Sequence, residues 1–347
     1  MEKNDCMKGR VVYYDFLRVI ASFCVVMTHV AQQVWYHDPI DTYEWNVANV
    51  YESAVRWSVP VFVMISGSLF LSSCKSFKLI IKNNIGKHIK LLMVWGGVYF
   101  AEGMILGKGL NASILSVIYG PLWFLFMLIC LYLIIPFIRK FLDDNRLIIY
   151  FLGLNITVTF IIPLLSTAIG NFSVPAKRAV DMVVENSFFY FASGYTGYFI
   201  LGYWLTKTQI TKKYKILMGI LGISAFVALP IMTRLESMKL GIVHDYYGNL
   251  TLGILFESIF IFSMAKDRFN NLGSKMNKFI QFAGSHALGI YLVHKIILDV
   301  FNDVLGIKWN FTNVVFSIPL LTVCVFILSG LVSIILSKIP IIKKILL

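Results

Sequence analysis

Charged side chains are scarce in this sequence: Asp, Glu, Lys and Arg make up only 14% of its 347 residues. A soluble domain of ordinary composition carries about 25% charge. Hydrophobic residues instead reach 58%, and the mean hydropathy is +0.76. This balance excludes an ordinary soluble domain and indicates an integral membrane protein.

Paired cysteines and clustered histidines are also lacking. None of the five cysteines stands in a Cys-x-x-Cys spacing, and the six histidines show neither a His-x-x-His nor a His-x-x-x-His pattern. Structural zinc sites and disulfide frameworks use such spacings. We therefore expect no disulfide and no metal site in this chain, whose cysteines are Cys6, Cys24, Cys74, Cys130 and Cys324.

Long apolar runs fill the chain instead. Ten stretches are long enough to cross a bilayer, and the loops between them are too short for a second globular domain. The sequence therefore predicts an all-α polytopic membrane protein, with about ten transmembrane helices and a single domain over residues 1–347. The stretches are 11–32, 51–72, 90–107, 118–138, 147–168, 187–205, 214–231, 247–264, 279–300 and 312–337.

Basic residues outnumber acidic ones, and the formal net charge is +13. If the N-terminus lies inside, 22 Lys and Arg residues fall in the segments on that side and six in the opposite loops. This asymmetry follows the positive-inside rule and places both termini in the cytoplasm. Basic loops that face anionic lipid explain the charge, so we expect a multi-pass protein of the cytoplasmic membrane and no nucleic-acid partner.

The first apolar stretch contains two residues that such stretches rarely carry, Arg18 and His29. A guanidinium inside a bilayer costs from a few kcal/mol up to about 10 kcal/mol or more. At about 100° per residue, eleven steps return almost to the starting angle, so the two side chains share one helix face. At a rise of ~1.5 Å per residue they stand roughly 16 Å apart along the axis. The spacing predicts two parts of one site.

Each of these two residues has two possible roles. Asp15 lies three residues before Arg18 and can form an ion pair that lowers the cost of burial. Arg18 either extends to the inner surface beside Asp15 or holds an anionic group that enters from the cytoplasm, since Arg suits phosphate. His29 is either an interfacial histidine bonded to a carbonyl or a general base or nucleophile. The shared face favours the functional role for both.

The second stretch contains a further arginine and a Ser-Gly pair. Arg56 lies near the outer surface, at a depth comparable to His29, and Ser66-Gly67 lies near the inner end, level with Arg18. Pro60 and Ser-Gly can bend or open a helix, and the freed amides would then face an anion. The alternative is close helix packing, which is common for Pro and Gly in membrane helices.

Four residues in later stretches are further candidates. Trp123 is either an interfacial belt residue or part of a substrate mouth, and Glu257 sits in mid-helix, where it needs a partner or water. Tyr291 and His294 share one face, with His294 level with His29. The i,i+4 spacing of Lys295 and Asp299 predicts an ion pair.

Four segments, taken in order, resemble the acyltransferase 3 family of membrane O-acyltransferases over nearly the whole chain. Arg18 to His29 matches its Arg-x10-His signature, preceded by Asp-Phe-Leu-Arg. The other segments are Arg56-x-x-Val59-Pro60 with Ser66-Gly67, Leu122-Trp123-Phe124-Leu125, and Ser285-x-x-Leu-Gly-Ile-Tyr291-x-x-His294. Within the family the chain is most similar to short glycan O-acetyltransferases, such as the enterobacterial common antigen O-acetyltransferase.

The resemblance implies acetyl-coenzyme A as a co-substrate that arrives from the cytoplasm, with no permanently bound cofactor. It implies a hydroxyl acceptor on a surface glycan or its lipid-linked precursor, and His29 as either base or acyl carrier. Donor binding would then use Arg18, Asp15, Ser66 and Gly67, while the cavity wall or acceptor side would use Arg56, Trp123, Glu257, Tyr291 and His294.

Two other functions are open at this stage. A transporter or flippase of a lipid-linked sugar could line its path with Arg18 and His29, although the sequence has no inverted repeat that would favour this. A membrane scaffold could leave the chemistry to a partner protein. Transfer of an acetyl group by the isolated protein separates the three.

Overall fold

The computed structural model describes residues 10–107, 120–170, 172–186, 192–243, 245–269 and 272–340. These ranges are helical and contain no strand, which confirms the all-α prediction for them. The helices are α1 Val12–Trp35, α2 Tyr43–Val55, α3 Ser58–Leu71, α4 Phe77–Ile80, α5 Gly86–Ile105, α6 Trp123–Leu133, α7 Ile135–Arg139, α8 Asn145–Ile156, α9 Ile162–Gly170, α10 Val174–Asn186, α11 Thr196–Lys207, α12 Lys212–Leu240, α13 Leu252–Arg268, α14 Ser274–Ser285, α15 Ala287–Asp299 and α16 Val314–Lys338. Short π-helical segments cover Ile81–Ile85, Thr157–Ile161 and Val300–Val304.

Five helical segments among the described residues are long and apolar enough to cross a membrane. Each reaches the roughly 20 apolar residues that a bilayer core requires. They are Val12–Trp35, Tyr43–Leu71, Asn145–Gly170, Lys212–Leu240 and Val314–Lys338. The number of about ten spans, and the side on which the termini lie, stay predictions.

Helix α1 lies in the middle of the bundle. It packs against α2, α3, α13, α14, α15 and α16, and most of its apolar residues are buried. Burial around so much of its circumference matches a sequence that is largely apolar on all sides, with Asp15, Arg18 and His29 as its Asp, Arg and His residues. The helix runs without a break, so the eleven-residue spacing between Arg18 and His29 keeps its geometric meaning.

Two glycines allow α3 and α11 to cross in direct contact. A Cβ atom at Gly67 would lie 1.7 Å from the carbonyl oxygen of Phe199, and a Cβ at Gly202 would lie 2.1 Å from that of Met64. Small residues at a crossing let two backbones approach closely in this way. Of the two alternatives for Ser66-Gly67, the structure therefore supports packing at Gly67, because α3 continues unbroken to Leu71 and the glycine lies at the crossing.

The predicted stretch 279–300 is two helices rather than one. Helix α14 ends at Ser285, α15 begins at Ala287, and His286 forms the break between them. His286 Nδ1 lies 3.1 Å from Ser333 Oγ on α16, which holds the break against a neighbouring helix. The break turns the ends of α14 and α15 toward α1.

The expectation of no disulfide is wrong for Cys74, which is disulfide-bonded. Cys24, Cys130 and Cys324 are free, and Cys6 lies outside the described residues. Sequence spacing misses such a bond because pairing depends on the tertiary approach of cysteines. The predicted ion pairs Asp15–Arg18 and Lys295–Asp299 are both present.

Candidate active site

Six helices, α1 among them, line one large cavity of about 510 Å³. The lining residues recur every three or four positions, as on one face of a helix. They are Val25, His29 and Gln32 on α1 and Phe62 and Ser66 on α3. Helices α5, α6, α14 and α15 close the remaining sides. The predicted site residues that line this cavity are Arg18, His29, Arg56, Ser66, Trp123 and Tyr291.

One end of the cavity, hereafter the arginine end, consists of Arg10, Asp15, Arg18 and Lys87. Arg18 donates to one carboxylate oxygen of Asp15 at 2.8 Å, and Arg10 Nε donates to the other at 2.6 Å. Asp15 is fully buried, while the side chains of Arg10 and Arg18 are 46% and 29% exposed. Arg10 Nη2 also donates to the backbone carbonyl of Gln281. Arg18 keeps N–H donors beyond its bond to Asp15.

Helix packing and a lysine complete the arginine end. A Cβ at Gly284 would lie 2.7 Å from the Asp15 Cβ, so this glycine lets the end of α14 reach α1 at the ion pair. Lys87, in the first turn of α5, lines the same cavity, and burial lowers the pKa of its ammonium group. Three cations then face one carboxylate, which leaves a net positive charge suited to an anionic ligand.

The opposite end, hereafter the histidine end, consists of His29, Arg56, Tyr291 and His294. The His29 ring lines the cavity, and its centroid lies 5.1 Å from that of His294, with 33° between the ring planes. His294 is buried and does not itself line the cavity. Tyr291 lies one turn earlier on α15, with its ring centroid 6.0 Å from that of His294. Its hydroxyl donates a hydrogen bond to the carbonyl oxygen of Pro121 at 2.5 Å.

Arg56 is held in place from two sides. It forms an ion pair with Glu52 of α2, whose side chain is fully buried, and its guanidinium carbon lies 4.8 Å above the centre of the Tyr247 ring. An ion pair and a cation–π contact together fix the plane of a guanidinium. Only 13% of the Arg56 side chain is exposed, and this part lines the cavity near His29.

Aromatic residues form the wall next to Arg56. Trp123 packs against Tyr195 at 5.8 Å, and Asn249 donates to the Tyr195 hydroxyl at 3.1 Å. Trp123 and Asn249 both line the cavity. An apolar ring beside a few fixed polar groups is typical of a pocket that orients a small polar ligand.

Two predicted site residues lie elsewhere in the structure. Gly67 belongs to the α3–α11 crossing and is not among the residues that line the cavity. Glu257 is fully buried on α13, outside the cavity, and neither of its carboxylate oxygens has a hydrogen-bond partner among the described residues. The remaining predicted residues lie in the cavity wall or directly behind it, as Asp15 and His294 do.

Several residues of the cavity and its support were not predicted. Glu52 and Gln32 carried a signal, since Glu52 stands four residues before Arg56 and Gln32 three residues after His29. Lys87 and Asn249 carried none, because tertiary packing alone brings their segments to α1. Arg10 was also missed, although it lies just before α1 and five residues before Asp15.

The cavity therefore joins two different chemical environments along one face of α1. The arginine end offers charge-assisted donors to an anion, and the histidine end offers imidazole groups that can accept a proton or attack a carbonyl. By the rise of an unbroken helix, Arg18 and His29 stand roughly 16 Å apart. An extended ligand could thus be bound at one end and react at the other.

One comparison with known proteins gives a match. A family model described as an acyltransferase domain matches residues 11–338, which is nearly the whole chain. No curated protein and no solved structure matches the sequence. The four motifs quoted above all lie inside the matched range.

Proposed function

The chain belongs to the acyltransferase 3 family, and from that premise we propose that it is a membrane O-acetyltransferase. It would move an acetyl group from acetyl-coenzyme A to a hydroxyl of a cell-surface glycan or its lipid-linked precursor. The observation that supports this most is the single cavity that joins the arginine end to His29. The short glycan O-acetyltransferases named above are the members that it would resemble in activity.

The arginine end would bind the donor. The nucleotide part of coenzyme A carries several phosphate charges, and the fork of a guanidinium binds phosphate with two parallel hydrogen bonds. Arg18 keeps free donors beyond Asp15. Arg10 adds a second guanidinium, which also donates to the carbonyl of Gln281, and Lys87 adds a third cation. Ser66, which lines the cavity from α3, would contact the donor between the phosphates and the thioester.

His29 would carry out the chemistry at the other end. The slim pantetheine arm would extend along α1 and place the thioester carbonyl beside the imidazole. His29 would accept the proton of the acceptor hydroxyl while that oxygen attacks the carbonyl carbon. When the C–S bond breaks, the thiolate takes the proton back from His29, and both products are neutral at the reacting atoms. Transient acylation of His29 itself is the variant of this step that rapid-quench trapping would detect.

The acceptor would enter beside Arg56. Arg56 and Asn249 offer hydrogen-bond donors to sugar oxygens, and Trp123 offers an apolar face. The Arg56 guanidinium, held by Glu52 and Tyr247, would also favour the negative charge that develops on the carbonyl oxygen. Tyr291 would close the wall behind the reacting atoms.

The membrane orientation follows from the charge asymmetry of the loops. We propose about ten spans, both termini in the cytoplasm, and location in the cytoplasmic membrane. The arginine end would then open to cytoplasmic acetyl-coenzyme A, and the histidine end would meet an acceptor from the outside. This orientation lets the acetyl group cross most of the bilayer as part of the donor.

The test uses purified protein in proteoliposomes, supplied with acetyl-coenzyme A labelled in the acetyl group and with glycan extracted from cells that lack the gene. We expect label on the glycan and release of free coenzyme A thiol, both lost in His29→Ala. Mass spectrometry of surface glycans with and without the gene then identifies the acceptor. Movement of a fluorescent lipid-linked sugar without acetyl-coenzyme A, and without transfer, would instead establish a flippase.

A further inference from the structure

One nitrogen of His294 lacks a hydrogen-bond partner although the residue is almost completely buried. Its Nδ1 lies 2.6 Å from the carbonyl oxygen of Tyr291, and His294 is 1% exposed. A carbonyl can only accept, so Nδ1 carries the proton, and Nε2 of the neutral ring is left with an acceptor lone pair. Within the described part of the chain, Nε2 has no partner. Buried polar atoms are seldom left in this state without a reason.

The ring of His29 lies beside the ring of His294. The two ring centroids lie 5.1 Å apart, with 33° between the planes. An N–H···N bond of about 2.9 Å, plus ~1.1 Å from each nitrogen to its ring centre, requires about 5 Å between centroids. The distance between the two ring centres therefore allows such a bond once the two nitrogens face each other. The His29 side chain is hydrogen-bonded to Gln32 in this structure. Rotation about its soft terminal torsion would exchange that partner for the lone pair of His294.

We propose that His294 is a positioning residue for His29, a role that rests on the proposed function above. Its Nε2 accepts a hydrogen bond from one nitrogen of His29, which leaves the other, cavity-facing nitrogen unprotonated and able to accept a proton. When the acceptor hydroxyl gives its proton to that nitrogen, His29 becomes an imidazolium, and the same bond then stabilises the positive charge. His294 keeps its own proton throughout, since Nδ1–H stays on the carbonyl of Tyr291.

The lack of a partner in the resting structure is consistent with this role. Hydrogen bonds that serve catalysis are often long or poorly aligned without substrate and tighten only when it binds.

His88 has the most similar bonding to His294 but has no second imidazole beside it among the described residues. Its Nδ1 also faces a backbone carbonyl, that of Asn84 at 2.7 Å, but its ring packs against Tyr132 rather than against an imidazole. His88 is thus a matched control.

The kinetic test compares four variants with the wild type in the proteoliposome assay. His294→Phe keeps a ring but removes the acceptor, and we expect kcat to fall about 10- to 100-fold while KM for acetyl-coenzyme A stays within about twofold. His294→Gln supplies an amide oxygen as acceptor and should recover most of the loss. His88→Phe should stay within about twofold of the wild type in kcat, and His29→Ala reports on the proposed function itself.

A second measurement does not depend on activity. Nitrogen-15 spectra of histidine-labelled wild-type protein in nanodiscs, assigned by comparison with His294→Phe, should show His294 protonated at Nδ1 and bare at Nε2. The opposite tautomer would overturn the inference whatever the kinetics show. Folding of each variant is checked by its thermal unfolding midpoint, and rescue by His294→Gln excludes a purely structural loss.

The outcomes separate the two proposals. If wild type transfers acetyl, His29→Ala does not, and His294→Phe equals the wild type, the positioning role is wrong and the proposed function stands. If the wild type and His29→Ala are equally inactive or equally active, the proposed chemistry fails and the role of His294 fails with it. An equal loss in His294→Phe and His294→Gln would also overturn the positioning role.

Discussion

The two ends of the cavity are built in opposite ways although one helix supplies the central residue of each. The arginine end is ion-paired and partly exposed, with Arg10 and Arg18 held on one buried carboxylate of their own segment and Lys87 added from α5. The histidine end is enclosed by aromatic rings, and its arginine is almost covered. Solvated charge is suited to capture a mobile anion, while a dry, packed environment strengthens each interaction at a reacting centre. The difference predicts that changes at one end alter donor affinity and changes at the other alter turnover.

The largest effect is expected at the histidine end, in His29→Ala. Removal of the only group proposed to accept the hydroxyl proton should lower kcat by about 10²- to 10⁴-fold, with KM for acetyl-coenzyme A little changed. Steady-state transfer in proteoliposomes measures both constants. His37→Ala, which changes an exposed histidine just after α1, is the control. Full activity of His29→Ala would remove the distinction between the two ends.

At the arginine end, Arg18→Ala should act on binding. Loss of a charge-assisted hydrogen bond costs about 1.5–3 kcal/mol, so we expect KM for acetyl-coenzyme A to rise by about 10- to 100-fold while kcat changes little. Arg18→Lys should recover part of the affinity, because it restores the charge but not the fork. Arg146→Ala, an exposed arginine of α8, provides the control. A fall in kcat at unchanged KM would contradict a donor-binding role.

A smaller loss of turnover is expected in Arg56→Ala, at about 10-fold in kcat, equivalent to about 1.4 kcal/mol of transition-state stabilisation. This variant also leaves Glu52 buried without its cation, which is strongly destabilising. The double variant Glu52→Ala/Arg56→Ala separates the two effects, since it should regain thermal stability but not kcat. Normal kinetics in Arg56→Ala would reduce this residue to a structural or topological role.

The smallest kinetic effect is expected in Gly67→Ala, which tests whether Gly67 belongs to the arginine end. Its Cβ would collide with the Phe199 carbonyl, and overpacking of this kind typically costs about 1–3 kcal/mol of stability. We expect a lower thermal unfolding midpoint with KM for acetyl-coenzyme A unchanged in the protein that remains folded. Gly97→Ala on α5, where nothing lies within 4 Å of the new Cβ, is the matched control. A selective rise in KM would return Gly67 to the donor site.

The parts of the site that sequence reasoning predicted are those that depend on a single helix. Arg18 and His29 line one cavity because eleven residues nearly complete three turns, and Asp15 pairs with Arg18 because three residues nearly complete one. The assignments of Ser66-Gly67 differ from the structure at Gly67 because helix bending and helix packing use the same residues. Whether that glycine faces a ligand or a neighbouring backbone depends on where α11 lies.

Composition and periodicity alone determined that this chain is helical, that it suits a membrane, and that a cation and an imidazole share one face of its first helix. These properties are local, because the mean hydropathy of a segment depends only on adjacent residues and the angle between two side chains on a helix depends only on their sequence separation. Tertiary structure alone decided that Lys87 joins Arg18, that His294 lies against His29, and that Gly284 admits the end of α14. Such contacts join segments up to several hundred residues apart, and the burial of whole helix faces, rather than any local pattern, brings them together.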